Sequence, residues 1–99
     1  MKQYFLEKLF DINYQMATHE GNGSRRLASQ AIKIHLLSPD EVPSLYRKEF
    51  LKLQDIIKHT LKNLSAPGLT PSRLQGIGNI TAIKYIKLLI DIEYSLRDE

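Results

Sequence analysis

The stretch SLYRKEFLKLQDIIKHTLKNL, residues 44–64, decides the fold class. Its spine is Tyr46, Phe50, Leu53, Ile57, Thr60, Leu61 and Leu64, stepping by three and four. Arg47, Lys48, Lys52, Asp55, Lys58 and Lys62 largely take the other faces. This is the period of an amphipathic helix, since a strand would need strict alternation. Immediately before it, Ser38-Pro39-Asp40-Glu41-Val42-Pro43 is the clearest breaker in the chain. Ser38 and Glu41 have capping-box spacing and Pro39 stands at a first helical position, so one short turn is predicted there.

Towards the N-terminus the helical pattern continues. From Lys2 to about Met16, the residues Phe5, Leu6, Leu9, Phe10, Ile12, Tyr14 and Met16 fall on a broad stripe, and the adjacent apolar pairs rule out alternation. Thr18 to Gly23, with two glycines, ends that helix. Ser24 reads as the N-cap of a second helix carrying Leu27, Ala28, Ala31, Ile34 and Leu37 along one side. Towards the C-terminus, Ser65-Ala66-Pro67-Gly68 reads as a linker, and Thr70-Pro71 as a cap and first position of a short helix through Leu74. Asn79 is then a candidate cap for a last helix, Ile80 to about Leu96, with Ile83, Ile86, Leu89 and Ile90 on its main apolar side. Tyr85, Leu88, Ile92 and Tyr94 make that helix apolar over much of its circumference, as expected of one central to the domain or covered by another chain.

The expected architecture is therefore all-α: a compact bundle of four main helices, plus a short helix leading into a Gly-x-Gly hairpin, in one domain spanning residues 1–99. A chain this short buries only about 60–65% of its unfolded surface, and it holds no cysteine to staple itself. Its stability must come from hydrophobic packing or from burial against a partner. The lack of cysteine removes thiol chemistry and fits a reducing, cytoplasmic setting. No signal peptide is expected, because acidic and aromatic residues interrupt residues 1–11. The longest apolar run, Leu88-Leu89-Ile90, is far too short for a membrane span.

Charge is mildly basic, 14 Lys and Arg against 11 Asp and Glu for a net +3. Its distribution says more. No acidic residue lies between Asp55 and Asp91, whereas Lys58, Lys62, Arg73, Lys84 and Lys87 all do. Within that stretch, Leu74-Gln75-Gly76-Ile77-Gly78-Asn79-Ile80-Thr81-Ala82-Ile83-Lys84-Tyr85-Ile86 resembles the helix-hairpin-helix signature of DNA-binding proteins. The resemblance covers residues of about 70–90, a fifth of the chain. Leu74, Gly76, Ile77, Gly78, Ala82, Tyr85 and Ile86 fill the motif's places in register. Pro71 falls on the first apolar place of the leading helix, and only one copy is present.

What the resemblance implies is a phosphate cradle. Gly76 and Gly78 leave no side chain between the backbone amides and a ligand, and Ile77 plugs the gap between helices. Lys84 and Lys87, with Arg73 assisting, would supply charge to the backbone of a non-specifically bound nucleic acid. The structural alternative is an ordinary helix–helix corner, with Gly76 ending one helix and Asn79 or Thr81 capping the next.

Other chemistry finds little footing. His19, His35 and His59 share no metal-ligand spacing, Asp40-Glu41 and Asp98-Glu99 read as a helix-start bias and a solvated terminus, and no nucleophile-base arrangement is evident. Arg25-Arg26 after Gly21-Asn22-Gly23-Ser24 only faintly suggests an anion loop. The expectation is a small accessory protein that is not an enzyme and needs no metal or cofactor. A competing expectation comes from the five tyrosines and three phenylalanines, more rings than a small helical core easily hides. On that reading the chain is a helical protein-interaction or oligomerisation subunit, and its glycine corner is purely structural.

Overall fold

The computed structural model describes residues 2–64, 66 and 68–98. Helices α1 (Lys2–Thr18), α2 (Gly23–Ser29), α3 (Ala31–His35), α4 (Ser44–Lys62) and α5 (Asn79–Arg97) follow one another, with a 3-10 turn at Pro39–Glu41. No strand occurs among the described residues. The all-α bundle and its four main helices are as the periodicity predicts. Of the expected linker 65–68, Ser65 and Pro67 lie outside the described residues.

Burial follows the predicted spines in part: Phe10 and Tyr14, expected on the α1 stripe, are exposed. Phe5, Leu9, Ile12 and Met16 turn α1 inward, while Phe50, Leu53, Ile57 and Thr60 do the same for α4. Leu27, Ala28, Ala31, Ile34 and Leu37 are all buried, but the helix expected to carry them is broken at Gln30, which has φ −107° and ψ 11°. The Ser29 hydroxyl donates back to the Arg26 carbonyl at 2.7 Å, a local bond that competes with helix continuation. The α3 C-terminus is closed from outside, as Gln54 Nε2 of α4 donates to the carbonyls of Ile34 and Leu37 at 3.1 and 2.9 Å.

Helix α5 packs against α1, α2 and α4, and it differs most from expectation. Its buried residues are Ala82, Leu89, Ile92, Glu93 and Leu96, so the inward face is turned by roughly 70° from the one the sequence suggests. Ile83 and Ile90, expected inside, are exposed. On a helix apolar nearly all round, periodicity alone cannot choose the inward side. Close approach of neighbouring helices decides it, at Ala82 and at Gly23 of α2. A Cβ on Gly23 would sit 2.7 Å from Ile83 Cγ1 and 2.9 Å from Asn79 Oδ1.

The two expected caps shift for the same reason. Asn22, not Ser24, caps α2, its Oδ1 accepting from the Arg25 N–H at 3.0 Å. Ser24 instead donates its N–H to Asn79 Oδ1 at 3.0 Å. Asn79 is thus the first residue of α5 and serves α2, while the N-cap position of α5 falls to Gly78 with no side-chain cap bond.

The short helix expected at residues 70–74 does not form; this stretch is bends and loop. Here Leu74 drops into the core, and the Gln75 N–H donates to the Thr60 hydroxyl at 2.9 Å. That hydroxyl in turn donates to the Ile56 carbonyl at 2.9 Å, which explains a threonine in the spine of α4. The glycine corner is therefore entered from a loop.

Candidate functional sites

Three surfaces could carry function, and α5 contributes to two of them. At its N-terminal end, Gly76 has φ 78°, a value that favours glycine, whereas Gly78 is extended at φ −97° and ψ −171°. A Cβ on either would meet nothing within 4 Å, so the corner stands open to solvent. Ile77 is half-buried against the core, but with a loop in place of the leading helix there is no gap between two helices at this corner for it to fill. The first turn of α5 holds no acidic residue, and its N-cap makes no side-chain bond.

The basic residues assigned to this corner are not alike. Arg73 and Lys84 are exposed. Lys87 Nζ lies 2.8 Å from Asp91 Oδ2, and this hydrogen bond and charge raise the lysine's pKa while offsetting its field. Lys84 and Lys87 border a groove of about 380 Å³ between α4 and α5, together with Glu49, Thr81, Tyr85 and Leu88. Burial, then the Glu49 carboxylate, push the Tyr85 phenol up. Arg26 is occupied elsewhere, with its Nε donating to the Gly21 carbonyl at 2.7 Å. His19 Nδ1 accepts from the Gly21 N–H at 2.8 Å, so this loop uses its polar groups to hold its own shape.

A second concavity, of about 320 Å³, lies between α1, α3 and the 3-10 turn. Phe5, Ile12 and Leu37 form its buried floor, and Tyr4, Lys8 and Leu36 its rim. Lys33 Nζ and Asp11 Oδ2 pair across it at 3.0 Å, and the lysine lowers the Asp11 pKa. The pair joins residues 22 positions apart, so no local sequence signal points to it.

The third surface is the outer side of α1 and α5. The helices lie side by side in opposite directions. Asn13 Nδ2 donates to the Leu89 carbonyl at 3.2 Å and to Glu93 Oε1 at 2.9 Å, while the Arg97 guanidinium sits 5.3 Å from the Phe10 ring centre. Phe10 and Tyr14, one turn apart, stack with centroids 6.3 Å apart. On α5, Ile83, Ile90 and Tyr94 recur at spacings that place them within an arc of roughly 40°. These five side chains are 50%, 56%, 51%, 37% and 62% exposed in chain order. Beneath them Glu93 is buried and paired with Arg97, Nε to Oε2, at 2.7 Å. Sequence reasoning anticipated surplus rings but not this face, because it put Ile83 and Ile90 inside.

Among the described residues no group of three or more His, Cys, Asp or Glu could hold a metal ion, and no helix is long and apolar enough to cross a membrane. Comparison of the chain with protein-family models, curated proteins and solved structures yields no match.

Proposed function

We propose that this chain is a small helical interaction module without a catalytic role, docking a polypeptide partner on the outer face of α1 and α5. The observation that carries the reading is the alignment of Phe10, Tyr14, Ile83, Ile90 and Tyr94 on one side of an antiparallel helix pair. Single exposed apolar residues are common on monomers, but a contiguous patch rich in aromatic rings marks a contact surface. A photo-reactive amino acid at position 90, in cells expressing the chain, tests this. Crosslinked adducts from position 90, and none from exposed Lys58 on α4, are the expected result. No adduct from position 90 contradicts it.

A second reading keeps a nucleic-acid backbone at Gly76, Ile77 and Gly78, with Arg73, Lys84 and Lys87 around it. One observation favours it: the open corner leads directly into an α5 N-terminus with no side-chain cap and no acidic first turn. Two others weigh against a strong contact, namely the loop in place of a leading helix and the Lys87–Asp91 pair. Titrating labelled duplex and single-stranded DNA at several salt concentrations is the test. Duplex affinity should fall with a log-log slope of about 0.9 per phosphate contacted. Absence of binding at low salt removes this reading and leaves the first intact.

A further inference from the structure

We infer that the occupant of the α1/α5 face is a second copy of this chain, packed about a two-fold axis so that each protomer's α1 and α5 cover those of its partner. The inference rests on the docking reading above. Charge supports it first. Glu93 and Arg97, between the two apolar stripes, pair at 2.7 Å, and Lys87, at the edge of the α5 stripe, pairs with Asp91 at 2.8 Å. With its charges paired, the face can meet its own copy without repulsion although the chain carries +3.

Area is the second support. The exposed parts of the five side chains amount to roughly 500 Å², taking aromatic and aliphatic residues at their usual sizes. A stable two-copy interface needs about 800 Å² from each partner. The stripe therefore supplies more than half, and the exposed flanks at Gln3, Ala17 and Arg97 lie alongside to supply the rim.

Geometry is the third. The pairing of Asn13 with Glu93 and of Phe10 with Arg97 makes α1 and α5 antiparallel, so the face is a two-helix layer. Two such layers related by a two-fold axis close into a four-helix arrangement that covers both copies of this face. The Asn13–Glu93–Arg97 network directly beneath interrupts the apolar surface at one place, which limits the registers in which two copies can meet.

Sedimentation equilibrium across a wide concentration range tests the proposal. The chain should pass from monomer to twice its mass. The double variant Ile90→Glu with Tyr94→Glu should weaken association by about tenfold or more, with an unchanged helical signal and melting curve. Lys58→Glu should leave association as it is. Should the double variant lose its helical signal, Phe10→Ser repeats the test from α1. A chain that stays monomeric, or a dimer indifferent to these variants, overturns the proposal. Crosslinking from position 90 separates this failure from failure of the docking reading. A monomer that gives an adduct with a different chain overturns the homodimer alone; a monomer that gives no adduct overturns both. An adduct of twice the chain mass, together with the concentration-dependent dimer, supports both.

Discussion

Helix α5 shows solvent two different sides. Beside α4 it carries Lys84, Lys87 and Asp91, and there the charges are hydrated or paired, Lys87 with Asp91 at 2.8 Å. Beside α1 it carries Ile83, Ile90 and Tyr94, next to Phe10 and Tyr14, and all five are more than a third exposed. The polar side is at equilibrium with water as it stands. The apolar side is stabilised only if something removes it from water, at about 25 cal/mol per Å² covered. The contrast within one helix is why docking, more than charge, is the function this fold supports best.

The sharpest break in that comparison lies between adjacent residues. Leu89 is fully buried and Ile90 is more than a third exposed. Leu89→Ala should cost about 2–5 kcal/mol in denaturant unfolding, by transfer and cavity terms together. Ile90→Ala should cost less than about 1 kcal/mol at concentrations where the chain is monomeric. Equal losses would mean that α5 is rotated from the orientation described.

Next in size is Gly23→Ala. Its Cβ would press on Ile83 Cγ1 and Asn79 Oδ1, both side-chain atoms that can move a little, so a loss of about 1–3 kcal/mol is expected. This substitution forces the first turns of α2 and α5 apart. No loss of stability would show that their close approach does not orient α5.

On the charged side, Lys84→Ala with Lys87→Ala should change stability by less than about 0.5 kcal/mol, since exposed ion pairs of this kind contribute little. If the second functional reading holds, the same variant lowers DNA affinity and flattens its salt slope. Full affinity in the variant would remove both lysines from any nucleic-acid contact.

The smallest effect concerns pH. Lys33 holds the Asp11 pKa below its ordinary 3.8, so the folded state binds that proton less readily than the unfolded chain. The stabilisation is complete above the unfolded value and fades as pH falls through 3.8 towards the lower folded one. Asp11→Asn should lose this small increment near neutral pH and match the parent once Asp11 is protonated in both states, so its stability falls less on acidification. Identical acid unfolding of the variant and the parent would contradict the pairing.

How much of this was legible in the sequence depends on whether a residue's fate is set locally. The spine of α4 follows from spacing alone, because polar residues mark its outer faces, whereas Phe10 and Tyr14 widen the apolar side of α1 beyond what the core takes. The side that α5 turns inward was not legible, since Ile80, Ile83, Ile86, Ile90 and Tyr94 offer a second apolar side as good as the first. The caps fall one or two positions from those expected because Asn79 Oδ1 accepts from the Ser24 N–H of α2, 55 residues away in sequence. Thr60 likewise settles the shape of residues 70–75 from another helix. At the glycine corner, the positive φ of Gly76 agrees with a glycine turn, which an ordinary corner also needs. The loop before the corner and the pairing of Lys87 were not legible, for each is decided by what packs nearby.

Amide chemical-shift mapping across a concentration series tests most directly whether two copies of this chain meet through the α1/α5 face. Between micromolar and near-millimolar protein, shifts should move around Phe10, Tyr14, Ile83, Ile90 and Tyr94, while those of Gly76, Gly78 and Lys84 stay fixed. A spectrum indifferent to concentration, or changes centred on the glycine corner, would contradict that contact.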